Sequence, residues 1–193
     1  MRLIQQATSF AAREHERQYR KDGVTPFAAH PFRVAMTVRH LFACEDPIVV
    51  AIALLHDTIE DCPVDYDDLE KRFGRAVADG VAALTKNTYL REDIREAEYD
   101  QRLAAADWRP RLVKLADAYD NYCDTAGMSP AMKRRATLRA RRAIQLASVD
   151  AVPTFLSVFS RECFRWFICT VFLFFLLLPS CSLCFVAICG RSG

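Results

Sequence analysis

The chain has 193 residues, 52% of them hydrophobic, and 26 Lys and Arg against 24 Asp and Glu give a formal net charge of +2. That length suits one globular domain, with no room expected for a second catalytic one. A charge so small and so evenly mixed excludes a whole-molecule field for nucleic acid and points to a small-molecule partner.

Through the first 150 residues apolar side chains recur every three or four positions and strand-like alternation never persists, so the reading is an all-helical domain. Residues 1–20 are amphipathic and charged, with no apolar run long enough for a signal peptide. The body is therefore expected to begin in the cytosol, its thiols reduced. The eight cysteines show no zinc-finger spacing. A first helix is expected to run to about Tyr19 and to stop at Arg20-Lys21-Asp22-Gly23, glycine supplying the left-handed turn. Beyond Pro26, His30-Pro31 opens a helix over Phe32 to Phe42.

Asp46-Pro47 is a strong start signal, a capping carboxylate followed by proline at the first helical position. The nearly unbroken apolar run Ile48 to Leu55 makes this the central helix, and Pro63 requires it to finish within a turn or so of His56-Asp57. Asp65 caps a short helix stopping at Gly74, and Arg75 to Lys86 makes another. Asn87 to Arg95 reads as a mobile charged connection, and helices over Trp108 to Asp124 and Ser129 to Asp150 complete the set. In the last, Arg135, Arg139 and Arg142 share a face, read as solvated helix surface, with an oligomer contact or attraction to anionic lipid as alternatives.

Composition changes after Pro153. Trp166 to Cys189 carries no charge and is long enough to cross a bilayer as a helix, although Pro179 interrupts it and cysteines crowd it. The division expected is a domain over residues 1–152 and an apolar tail over 153–193, either a membrane anchor, a buried helix or an aberrant end.

Candidate chemistry gathers around His56-Asp57, where an imidazole and a carboxylate side by side can ligate one divalent metal if a helix end turns them inward. Glu60-Asp61 follows at helical spacing, placing two acids beside it. Asp117 lies close to the apolar side of its helix, where a buried carboxylate needs a partner such as a cation. His30 is held at a helix entrance. Two imidazoles and two carboxylates make a mixed donor set suited to manganese, iron or zinc, and a metal so held can activate water against a phosphate ester. Glu60 and Asp61 could carry the proton. His15 and His40 are read as ordinary surface or packing residues.

The order of His30, His56-Asp57 and Asp117 resembles the HD phosphohydrolase superfamily. The segments Gln18 to Gly23, His30 to Ala35, Leu54 to Asp61 and Lys114 to Asp117 resemble the hydrolase domain of RelA/SpoT proteins, over about residues 1–150 and most closely the single-domain small alarmone hydrolases. The resemblance implies an HD-domain helical bundle. It also implies manganese-dependent removal of the 3′-pyrophosphate of (p)ppGpp, with His30, His56, Asp57 and Asp117 as ligands and Glu60-Asp61 as the catalytic acid pair. Arg20 and Lys21 match positions that contact the base, and Asn121 matches a nucleotide-pocket asparagine. Ala118, Tyr119 and Asp124 depart from the residues common in relatives, which leaves guanine-side selectivity open. Other readings are a related phosphatase acting on NADPH and a non-catalytic alarmone sensor, against which the intact Glu60-Asp61 pair argues.

Overall fold

A computed structural model describes residues 1–125 and 129–148. The described chain is all-α: α1 (Arg2–Glu14), α2 (Ala29–Met36), α3 (Pro47–Leu55), α4 (Thr58–Asp61), α5 (Tyr66–Phe73), α6 (Arg75–Leu84), α7 (Glu92–Ala105), α8 (Trp108–Cys123) and α9 (Pro130–Ser148). A wider π-helical turn, Thr37–Leu41, carries α2 onward, and the sole pairing of extended backbone among the described residues is an isolated bridge between Tyr19 and Pro26.

α3 is the axis of the bundle. Asp46 starts it as expected, its side chain accepting from the Ile48 N–H at 2.8 Å, and every residue from Val49 to Leu55 is buried. α1, α2, α6 and α8 pack around it. Gly80 lets α6 lie close, because a Cβ there would collide with the Ile52 side chain. The helices over 66–73 and 75–84 fall where the capping residues place them, with Asp65 accepting from the Asp68 N–H at 2.9 Å and Gly74 turning between them at φ 84°.

Two expectations are corrected. α1 ends at Glu14 rather than near Tyr19: the chain turns at Arg17, whose φ is 65°, and Tyr19 lies in a bridge opposite Pro26, closed by the Arg20 N–H donating to the Thr25 carbonyl and the Phe27 N–H donating to the Gln18 carbonyl, each at 2.8 Å. Gly23 is left-handed, but in the turn Arg20–Gly23 beyond that stop. The segment read as a mobile connection contains the start of a helix, α7. Its charged stretch hides two anchors, Tyr99 and Leu103, which are buried, while the half-buried Glu98 and Arg102 pair one turn apart at 3.0 Å.

No helix among the described residues is long and apolar enough to cross a membrane. The segment Trp166 to Cys189 and the boundary at residues 152 and 153 lie outside the described residues.

Candidate active site

The end of α3 meets the start of α2 and the middle of α8 at one buried point. His56 follows α3 directly, and its Nδ1 donates to the Ala53 carbonyl at 2.8 Å. That bond orients the ring so that, once neutral, it carries its lone pair on Nε2. This atom is buried and makes no well-formed hydrogen bond, although Asp57 Oδ1 stands 3.2 Å away. His30, on α2, is held the same way: Nδ1 meets Asp120 Oδ2 at 2.7 Å, and Nε2 faces Asp117 Oδ1 at 3.2 Å and Asp57 Oδ2 at 3.6 Å. Asp117 Oδ1 is also 3.9 Å from His56 Nε2.

One donor atom from each of His30, His56 and Asp117 lies within 4.8 Å of the others, and Asp57 borders the trio. The donor set fits a divalent metal. Two imidazole nitrogens with their opposite nitrogens already committed, one of them buried without a partner, face two carboxylates at a spacing that one ion would bridge.

The charges show how tightly this point is balanced. Burial opposes ionisation of Asp117, but Lys114 and the two imidazoles outweigh it and hold the carboxyl well below its usual range. Burial likewise opposes a charged His56, yet Asp57 and Asp117 lift it to about 9. Asp57 is lowered by the His56 it faces, against the effect of its own burial. Lys114 donates to Asp117 Oδ2 at 2.8 Å, so the side of the carboxylate away from His30 is already satisfied.

After His56-Asp57 the chain re-enters helix for the single turn α4, with the Asp61 N–H donating to the Asp57 carbonyl at 2.9 Å. Glu60 stands in the cavity wall, its Oε2 accepting the Lys86 backbone N–H at 3.0 Å. Asp61, the next residue, is exposed and does not line the cavity, and desolvation together with Asp57 and Glu60 pushes its carboxyl up to about 6. Its carbonyl accepts from the Gln18 side chain at 2.9 Å.

The cavity above the trio measures about 590 Å³, and Arg20, Lys21 and Asn121 all line it. Arg20 is braced by Asp124 Oδ2 at 2.8 Å and Asn121 Oδ1 at 3.1 Å, and Asn121 in turn donates to Asp117 Oδ1. The basic helix adds to the wall: Arg135 and Arg139 of α9 are exposed, as a solvated helix face requires, and with Arg142 they also line this cavity. The helical spacing identified their common face, but not what it faces, because that depends on α9 packing against α8. Lys114, Asp120 and Arg33 were also outside the candidate set. A signal for the first two existed, since they lie three residues either side of Asp117 on one helix.

A helical bundle that turns two imidazoles and two carboxylates onto one point beneath a cavity lined by both basic and acidic side chains has the architecture of a metal-dependent phosphohydrolase. A family model described as HD domain matches residues 7–144, and the chain belongs to that family. It is 35% identical over 129 residues to guanosine-3′,5′-bis(diphosphate) 3′-pyrophosphohydrolase MESH1 of Xenopus tropicalis, covering 66% of this chain and 72% of the relative. Human MESH1 is 36% identical over 126 residues, 65% of this chain and 70% of that protein. The like-named enzyme of Aquifex aeolicus is 38% identical over 121 residues, 61% of this chain but 17% of a much longer protein. A solved structure described as a metazoan ortholog of SpoT that hydrolyzes ppGpp superposes with a TM-score of 0.69 at 26% identity, covering 86% of this chain and 96% of that one.

Proposed function

We propose that this chain is a guanosine-3′,5′-bis(diphosphate) 3′-diphosphatase, which hydrolyses (p)ppGpp to pyrophosphate and GDP or GTP. The observation that carries the reading is the placement of His30, His56 and Asp117 beneath a cavity whose walls bear Arg20, Lys21, Lys86, Arg135 and Arg139. A metal-ligating floor with these basic side chains in the walls above it suits a nucleotide bearing phosphate at two positions. Relatives named for this activity, at 35–38% identity, support it.

In this reading His30, His56, Asp57 and Asp117 hold the metal, and Mn²⁺ is the ion proposed for a mixed nitrogen and oxygen set. When bound, such an ion lowers the pKa of water and polarises a phosphoryl oxygen. Glu60, in the cavity wall, takes a proton from the attacking water, whose oxygen bonds to the phosphorus attached to the 3′-oxygen. The bond from that phosphorus to the 3′-oxygen breaks, and the Glu60-Asp61 pair returns the proton to the departing 3′-oxygen, which leaves as the 3′-hydroxyl. Arg20, Lys21 and Asn121 orient the nucleotide. The catalytic unit is residues 1–152, with 153–193 an apolar extension outside the chemistry.

The test is a substrate panel with and without Mn²⁺. Release of pyrophosphate and GDP from ppGpp, abolished by chelation, supports the reading. Binding of ppGpp without turnover would make the protein a sensor, and orthophosphate from NADPH with no pyrophosphate from ppGpp would reassign the substrate.

A further inference from the structure

His30 is gripped through both ring nitrogens by two acids one turn apart on α8. Nε2 faces Asp117 Oδ1 at 3.2 Å, and Nδ1 meets Asp120 Oδ2 at 2.7 Å. Asp120 is buried, with 5% of its surface exposed, and a carboxylate so placed needs more than one neutral partner. Arg33, one turn beyond His30 on α2, supplies it. Its Nε and Nη2 reach Asp120 Oδ1 and Oδ2 at 2.7 and 2.9 Å, a two-pronged grip that fixes the plane of the carboxylate. Arg33 Nη2 also reaches Asp124 Oδ2 at 2.8 Å, the oxygen that braces Arg20.

We infer that Asp120 and Arg33 are positioning residues that orient His30 and set the protein's affinity for its metal. The inference rests on the proposed role of His30 as a ligand. The partner of an imidazole's second nitrogen fixes the ring's orientation and strengthens it as a ligand, and losing such a partner typically costs about 10- to 100-fold in metal affinity. The guanidinium extends the effect one residue further out. Without it, Asp120 loses the fork that holds both oxygens, and the imidazole loses a fixed acceptor. Arg33 therefore acts on a metal it does not touch, from a side chain with 40% of its surface exposed.

The experiment is Mn²⁺ binding to the full chain, followed by equilibrium dialysis and by the electron paramagnetic resonance signal of free Mn²⁺, with circular dichroism to verify folding. Asp120→Asn keeps the shape and removes the charge; it is expected to weaken binding about 10-fold or more, as is Arg33→Met. Arg33→Lys should recover only part of the loss, because one ammonium cannot grip both oxygens. The double variant should lose little more than Asp120→Asn alone, since the two act through one path. His30→Ala is the reference. If it binds Mn²⁺ as the parent does, the ligand assignment itself fails. If His30→Ala loses the ion while folded Asp120→Asn or Arg33→Met stays within about twofold of the parent, the positioning role is overturned.

Discussion

Lys114 Nζ donates to Asp117 Oδ2 at 2.8 Å, on the far side of the carboxylate from the oxygen that faces His30 and His56. The lysine offsets one negative charge at a point where two carboxylates converge. Lys114→Met should therefore destabilise the metal-free protein by about 3 kcal/mol, the low end for breaking a buried ion pair, because the lysine side chain retains 23% exposure. Metal should restore more stability to this variant than to the parent, since the ion replaces the missing charge. Thermal melts with and without Mn²⁺ measure both effects, and equal metal-induced shifts in the two proteins would show that Lys114 does not compensate charge at this point.

Metal binding should release protons. Although burial disfavours its charged form, His56 is lifted to about 9 by Asp57 and Asp117, so the metal-free protein holds a proton there at neutral pH that a ligated imidazole cannot keep. Below pH 9 metal and proton compete, and affinity should rise with pH by about tenfold per unit for each proton displaced. Calorimetry in two buffers of different ionisation enthalpy counts those protons. A pH-independent affinity between pH 6 and 8 would mean that His56 is already neutral before the metal arrives.

On α9, Arg135 and Arg139 line the cavity while Lys133 is exposed and outside its wall. Arg135→Ala and Arg139→Ala should raise KM severalfold with little change in kcat, because contacts to a phosphate remote from the reacting bond are made equally in the ground and transition states. Lys133→Ala is the comparison and should leave both constants unchanged. Equal effects from all three would return the helix to a general charge contribution.

Residues 1–152 should fold and turn over substrate without the apolar extension, since every proposed site residue precedes it and the family match ends at residue 144. Circular dichroism and metal-dependent turnover of the truncated chain test this division. A folded but inactive fragment would place part of the site beyond residue 152.

Much of this site was legible because its residues sit at positions where local sequence dictates geometry. Pro47 and Asp46 set the start of α3 and its apolar run forces burial, while Pro63 ends helix at Cys62, one turn of α4 beyond His56-Asp57. What local pattern could not give was tertiary pairing. Arg33 and Asp120 lie 87 residues apart, and nothing in either neighbourhood announces the other. The helix α7 was hidden because its stability comes from burying Tyr99 and Leu103 rather than from an apolar stripe along its whole length. The end of α1 was misplaced for a related reason: the bridge from Tyr19 to Pro26 competes with helix, and a bridge cannot be read from periodicity.

The sharpest separation of roles compares Glu60 with the proposed ligands. Glu60 Oε2 is held by the Lys86 backbone N–H at 3.0 Å and stands in the cavity wall, whereas His56 and Asp57 close on the buried point beneath. Glu60→Gln retains the shape and can still accept from Lys86, but it cannot take a proton. Manganese and nucleotide should bind as before while kcat falls on the order of 10²- to 10⁴-fold, the range for general acid-base catalysis. His56→Ala and Asp57→Ala should instead release the metal, because each removes a donor facing it. Equilibrium dialysis counts the ion, and single-turnover assays isolate the chemical step. If Glu60→Gln loses manganese as readily as His56→Ala, then Glu60 is itself a ligand. If it keeps near-normal turnover, the proton passes through Asp61, whose carboxyl is already raised to about 6 by desolvation and by the charges of Asp57 and Glu60.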